Sequence, residues 1–211
     1  MDRLRSPGGC PWDAAQTHAT LVPYLLEESH ELAEAVDAGD RAGLREELGD
    51  VLLQVVFHAR IAQDDPEHPF DLDDVADALV AKLVSRHPHV FAGTAVDGDL
   101  HAQWDRLKRI EKPERASALD GVPASLPALA RAGKLAQRAR RAGIDPVAAP
   151  SGPGDEDAEL GRALLELVLA HPGLDAEGAL RRATRGWEDA VRSAEAAGVG
   201  PSAGKGPDDA G

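Results

Sequence analysis

Several kinds of residue are scarce in this chain, and each shortage excludes something. One cysteine, Cys10, stands alone among 211 residues, so an intramolecular disulfide framework is ruled out. Its thiol is expected to be reduced and intracellular, with no catalytic part. Aromatic residues make up only 3% of the chain while Ala and Leu are abundant, a balance that favours helix over sheet. No apolar run reaches membrane-spanning length. The N-terminal MDRLRSPGGCPWD lacks the apolar centre of a signal peptide. A cytoplasmic protein without membrane association is expected. Basic residues are few, 23 Lys and Arg against 37 Asp and Glu, for a net charge of −14. Direct binding of duplex nucleic acid needs a basic footprint and is not expected. A polyphosphate remains an admissible ligand, because a bound divalent ion inverts the local sign of charge. The GxxxxGK, GxGxxG, HExxH and GxSxG motifs are all absent. Any phosphate binding must therefore come from the helices themselves.

What is present is a core-forming 43% of hydrophobic residues and two short carboxylate pairs. Glu28 and Glu31 lie in PYLLEESHELAEAV, and Glu47 and Asp50 in LREELGDVLLQVV. The spacing i, i+3 puts each pair on one helical face. Fifteen residues separate Glu31 from Glu47, enough for one helix to end, turn at Gly39-Asp40 and a second to return antiparallel. Leu21, Leu25, Leu32 and Ala35 form an apolar stripe with Glu28 inside it. Leu44, Leu48, Val51, Leu52 and Val55 mark the expected core side of the second helix, and Glu47 shares a face with Leu44 and Val51. Carboxylates placed among apolar residues are costly unless paired or metal-bound, and oxygen ligands of this kind suit magnesium. Glu34 and Asp37 read as ordinary solvated residues.

The periodicity predicts an antiparallel all-α bundle. A turn-rich segment covers residues 1–16. Helices follow at about 21–38, with Pro23 in the first turn, at about 40–62 with Asp40 as cap, from Asp71 or Asp73 to about Arg86, and at about 101–111. A connector at 117–127 leads to a basic helix over about 126–142. A Pro/Gly-rich linker follows at 145–157, then helices at about 157–171 and 176–197, and a tail from Gly198 with the composition of disorder. EELGDVLL around Glu47 resembles ELGRALL around Glu159, an internal similarity in which Arg162 replaces Asp50.

Two further pairs carry candidate chemistry. Lys82 and Arg86 are one turn apart in KLVSRHPHVF, and Trp104 and Lys108 one turn apart in QWDRLKRIEK. Cations there would cover phosphate oxygens that a metal leaves free, and an indole would offer a flat surface to a base. His87 and His89 read as a structural turn. His18, His30 and His58 show no partner pattern.

Together, GGCPWDAAQTHATLVPYLLEESHELAEAV, EELGDVLLQVVFHARIA, KLVSRHPHVF and SALDGVPASLPALARAGKLAQRA resemble the MazG nucleoside triphosphate pyrophosphohydrolases, from about residue 3 to 145. The resemblance implies an all-α and typically dimeric enzyme. Such an enzyme cleaves nucleoside triphosphates to the monophosphate and pyrophosphate with magnesium, for which manganese can substitute. It implies metal ligation and catalysis by Glu28, Glu31, Glu47 and Asp50. Nucleotide contacts fall on Lys82, Arg86, Trp104 and Lys108, with Tyr24, Glu27 and Arg45 in segments lining the same site. Residues 1–116 are expected to form the catalytic domain, 117–145 the connector and basic helix, 146–197 a truncated second MazG-like segment without catalysis, and 198–211 a disordered tail. Two alternatives stand beside this reading. One is a pyrophosphohydrolase for a narrower substrate such as dUTP or phosphoribosyl-ATP. The other is a non-catalytic helical module that binds a protein partner.

Overall fold

The computed structural model describes residues 1–93, 116–144 and 155–198, and these contain helices and no strand. The chain divides into two compact units, Met1–Glu111 and Lys112–Gly211. The first holds α1 (Asp2–Arg5), α2 (Pro11–Ala15), α3 (His18–Ala38), α4 (Arg41–Ala62), α5 (Leu72–Arg86) and α6 (Pro88–Phe91). The second holds α7 (Ala128–Arg141), α8 (Glu156–Ala170) and α9 (Ala176–Ala196). The all-α expectation is met. The expected helix at 101–111 and the tail lie outside the described residues.

The α3–α4 hairpin is the centre of the first unit, and local chemistry sets both of its ends. Thr17 opens α3 with a capping box: its hydroxyl accepts from the Thr20 N–H at 3.2 Å while the Thr17 N–H donates to Thr20 Oγ1 at 2.9 Å. The helix thus begins three residues before the expected Leu21. Pro23 then falls inside it rather than in its first turn, so the Ala19 carbonyl loses its i+4 donor. Gly39 closes α3 in the left-handed region at φ 67°. Asp40 starts α4, its Oδ1 accepting the Ala42 and Gly43 N–H groups at 2.9 and 3.1 Å. Asp71 caps α5 reciprocally with Asp74. The N-terminal segment, expected as turns, contains two short helices.

Leu21, Gln54, Phe57, Ala59 and Ala62 are the buried residues along α3 and α4. Leu48, Leu52 and Val55, expected on the core side, are exposed instead, Leu52 to 59%. A two-helix contact buries one stripe of α4, and its apolar residues occupy more than one stripe.

In the second unit α7 packs against α8 and α9. Arg138 donates to the Asp120 carbonyl, and Arg140 to the Leu169 carbonyl at the C-terminal end of α8. Glu177 accepts the Ala130 N–H at 3.3 Å. Ala136, Val168 and Gly178 are buried.

Candidate functional site

The hairpin brings the two carboxylate pairs together. Carboxylate oxygens of Glu28, Glu47 and Asp50 lie within 4.8 Å of one another. All three residues are half-buried. Glu31 is exposed and reaches the cluster through its carboxyl contact with Glu47. Antiparallel packing is the cause: Glu28 and Glu31 on α3 meet Glu47 and Asp50 on α4 at the same level of the hairpin.

The electrostatics follow from that proximity. Burial, followed by the charges of Asp50, Glu31, Glu47 and Glu27, pushes the Glu28 carboxyl above its ordinary range. Burial, the charges of Glu31, Asp50 and Glu46, and a hydrogen bond with Glu31 do the same to Glu47. Glu47 Oε2 is buried without a hydrogen-bond partner. An orphaned carboxylate oxygen is costly, and a divalent ion would satisfy it. The donors are all hard oxygens, so the set fits a magnesium-type cation better than a thiolate- or imidazole-seeking metal.

The remaining expected site residues are placed as follows. Glu27, exposed beside Glu28, adds to the negative charge there. Tyr24 lies one turn before Glu28 on α3 and meets Trp12 edge to face, with ring centroids 5.8 Å apart. Arg45 is exposed on α4. Lys82 is exposed and Arg86 half-buried, one turn apart at the end of α5, which packs on α4. Trp104 and Lys108 lie outside the described residues.

Two features carried no sequence signal. His18 and His58, read as scattered, form a side-chain pair with Nδ1 atoms 2.7 Å apart. Trp12, left out of the expected site, sits against Tyr24 and Phe57. Both depend on residues far apart in the chain, which local periodicity does not register. His87 and His89 do form a turn: His87 ends α5, starts α6, and its Nδ1 bonds the Leu83 carbonyl at 2.7 Å.

No helix among the described residues is long and apolar enough to cross a membrane.

Comparison with known proteins gives the arrangement a family. Residues 16–91 match the model of the MazG nucleotide pyrophosphohydrolase domain. An uncharacterized 26.1 kDa protein from the blaB 3' region of Streptomyces cacaoi is 53% identical over 92% of this chain and 79% of its own length. A nucleoside triphosphate pyrophosphohydrolase of Mycolicibacterium smegmatis is 49% identical over 93% of this chain. The chain spans only 57% of that relative's length. The nucleoside triphosphate pyrophosphohydrolase/pyrophosphatase MazG of Thermotoga maritima is 38% identical over 92% of this chain and 82% of its own length. The matched domain contains the whole α3–α4 hairpin with its four carboxylates, and with these relatives it shows that the chain belongs to the MazG family.

Proposed function

We propose that this chain hydrolyses nucleoside triphosphates to the nucleoside monophosphate and pyrophosphate, using magnesium held by Glu28, Glu31, Glu47 and Asp50. The observation that carries the reading is the buried, unpartnered Glu47 Oε2 inside a cluster of converging carboxylates. The names of the mycobacterial and Thermotoga relatives supply the substrate class.

A divalent ion held by Glu28, Glu31, Glu47 and Asp50 would neutralise charge at the phosphoryl oxygens and acidify a bound water. The protein's own residues do the rest. Glu28 and Glu47, whose carboxyls resist ionisation when apposed, are strong ligands once a cation relieves their repulsion. Glu27, exposed next to Glu28, is positioned on the chain to accept the proton of the attacking water. Lys82 and Arg86 stabilise negative charge on the polyphosphate and on departing pyrophosphate, joined by Lys108, with Trp104 against the base. Attack at the α-phosphorus breaks the α–β bridge. Water contributes the hydroxyl that stays on the monophosphate, and pyrophosphate leaves with the bridging oxygen.

The apolar residues left exposed on α4 favour a homodimer or higher homo-oligomer. A soluble nucleotide substrate and a single free thiol fit a cytoplasmic enzyme, and removal of aberrant nucleotides is the physiological role that suits it. Pyrophosphate release from a panel of canonical and damaged triphosphates, including dUTP and phosphoribosyl-ATP, is the test. Magnesium-dependent release is expected from several nucleoside triphosphates and is lost in Glu47→Gln. Release from one substrate alone would narrow the assignment. Release from none would leave a non-catalytic module.

A further inference from the structure

Trp12 is packed against two aromatic rings and yet left half open. Its short helix, α2, is fastened by Arg5, whose side chain is 8% exposed and whose guanidinium donates to the Asp13 and Gln16 carbonyls at 2.6 and 3.1 Å. The same guanidinium pairs with Asp64 at 3.5 Å and lies over the Phe57 ring, 5.6 Å from its centroid. The turn before α2 is equally constrained: a Cβ on Gly9 would stand 2.3 Å from the Leu4 carbonyl oxygen, so only glycine fits. The Trp12 ring meets Tyr24 of α3 at 5.8 Å and Phe57 of α4 at 6.4 Å, near-perpendicular to each. Yet half of Trp12 remains exposed, whereas Phe57 is 3% exposed. The ring therefore keeps accessible surface although two other aromatics brace it.

The platform stands in register with the carboxylates. Tyr24, Glu28 and Glu31 share one face of α3 at spacings i, i+4 and i+7, and Glu47, Asp50, Gln54 and Phe57 share one face of α4. One turn, about 5.4 Å, separates Tyr24 from Glu28 along the helix axis. Between Asp50 and Phe57 on the α4 face lies Gln54, 5% exposed, with its Oε1 lacking a hydrogen-bond partner. Away from the carboxylates, the line therefore runs from hard oxygens to a braced, half-open aromatic. A nucleoside triphosphate has the same order, from phosphates to base.

We propose that Trp12, braced by Tyr24 and Phe57, is a second surface, besides Trp104, on which the nucleobase of the substrate stacks. The inference rests on the proposed nucleotide chemistry of the carboxylate cluster. Stacking is tolerant of base identity, since every base has a π-face, and a purine covers more of an indole than a pyrimidine does. Purine triphosphates are therefore preferred through this residue.

Binding separates the inference from turnover. Affinities for α,β-methylene-ATP and for inorganic tripolyphosphate are to be measured with magnesium by calorimetry on the full-length chain. Trp12→Leu, which keeps apolar bulk and removes the ring, is expected to weaken the nucleotide roughly tenfold, within the range of a base–aromatic stack, and to leave tripolyphosphate unchanged. Trp12→Phe is expected to recover most of the loss. Equal affinity of the wild type and Trp12→Leu for the nucleotide overturns the inference. So does a parallel loss of both ligands, which marks a structural role, and so does a wild type that binds neither. Absence of pyrophosphate release by the wild type would defeat the hydrolytic reading while leaving this comparison to judge the stack.

Discussion

His18 Nδ1 lies 2.7 Å from His58 Nδ1, the ring planes are parallel within 2°, and the centroids are 5.0 Å apart. The centroid separation exceeds the nitrogen separation by about one ring width, so the rings meet edge to edge through a shared proton rather than face to face. The contact joins the first residue of α3 to the last turns of α4. His58 Nε2 is buried without a partner. The tautomer that fits is Nδ1–H on His58 donating to His18, leaving a bare lone pair at the buried nitrogen. Protonating either ring forces a proton onto that buried Nε2 or sets two N–H groups against each other.

Acid should therefore open the ends of the hairpin. Burial and the neighbouring His18 hold the His58 pKa below its ordinary value of 6.5. The unfolded chain then binds more protons than the folded one as pH falls. The stabilisation is fully present above 6.5 and is lost as pH drops from there toward the lower folded value. The urea midpoint is expected to fall between pH 7.5 and 5.5, and to fall less in His58→Phe. Equal slopes in the two proteins would remove the pair as the cause.

The carboxylates have the opposite sign. Raised pKa values at Glu28 and Glu47 mean that the metal-free fold loses stability as pH climbs past about 4.5, where the unfolded carboxyls ionise. In EDTA at pH 7.5, Glu47→Gln and Asp50→Asn should melt at or above the wild-type temperature. Magnesium should raise the wild-type Tm and leave both variants nearly unmoved. Pyrophosphate release should drop at least a hundredfold in each. Full activity at saturating magnesium would refute the ligand assignment.

Lys82→Ala and Arg86→Ala should each reduce kcat/KM about tenfold or more, the scale on which a phosphate-directed cation acts. Lys82 is exposed, so its removal should barely change the Tm. Arg86 is half-buried and makes contacts of its own, so a small loss of stability is expected there. Unchanged kcat/KM in both variants would show that these charges serve elsewhere.

Leu48, Leu52 and Val55 repeat at i, i+4 and i+7 along α4, and all three are exposed. A second copy of the chain is the expected cover. Sedimentation should give a dimer or larger species at micromolar concentration, and Leu52→Asp should shift it toward monomer. A fully active wild-type monomer would contradict the assembly.

A chain ending at Asp145 should keep magnesium-dependent nucleotide hydrolysis. Arg162 occupies the place of Asp50 in the internal similarity, and a permanent cation without a lone pair cannot ligate magnesium. Loss of activity in a truncated protein that still folds and assembles would show that residues beyond 145 contribute to the site.

Local sequence was enough for what local forces decide. The cap at Asp40, the turn at Gly39, the start of α5 at Asp71 or Asp73 and the end of α4 near Ala62 all depend on neighbours within a turn, and all were legible in the sequence. The i, i+3 carboxylate pairs were legible for the same reason. The start of α3 was missed because the hydroxyl exchange between Thr17 and Thr20 outweighed the irregularity at Pro23. Side-chain surroundings were beyond the sequence altogether. That Glu47 hides an unpaired oxygen, that Leu52 faces outward, that His18 finds His58 across forty positions and that Trp12 comes to rest on Tyr24 and Phe57 all follow from how the hairpin closes. Closure depends on the register of two long helices against each other, and packing sets that register through contacts that no local pattern records.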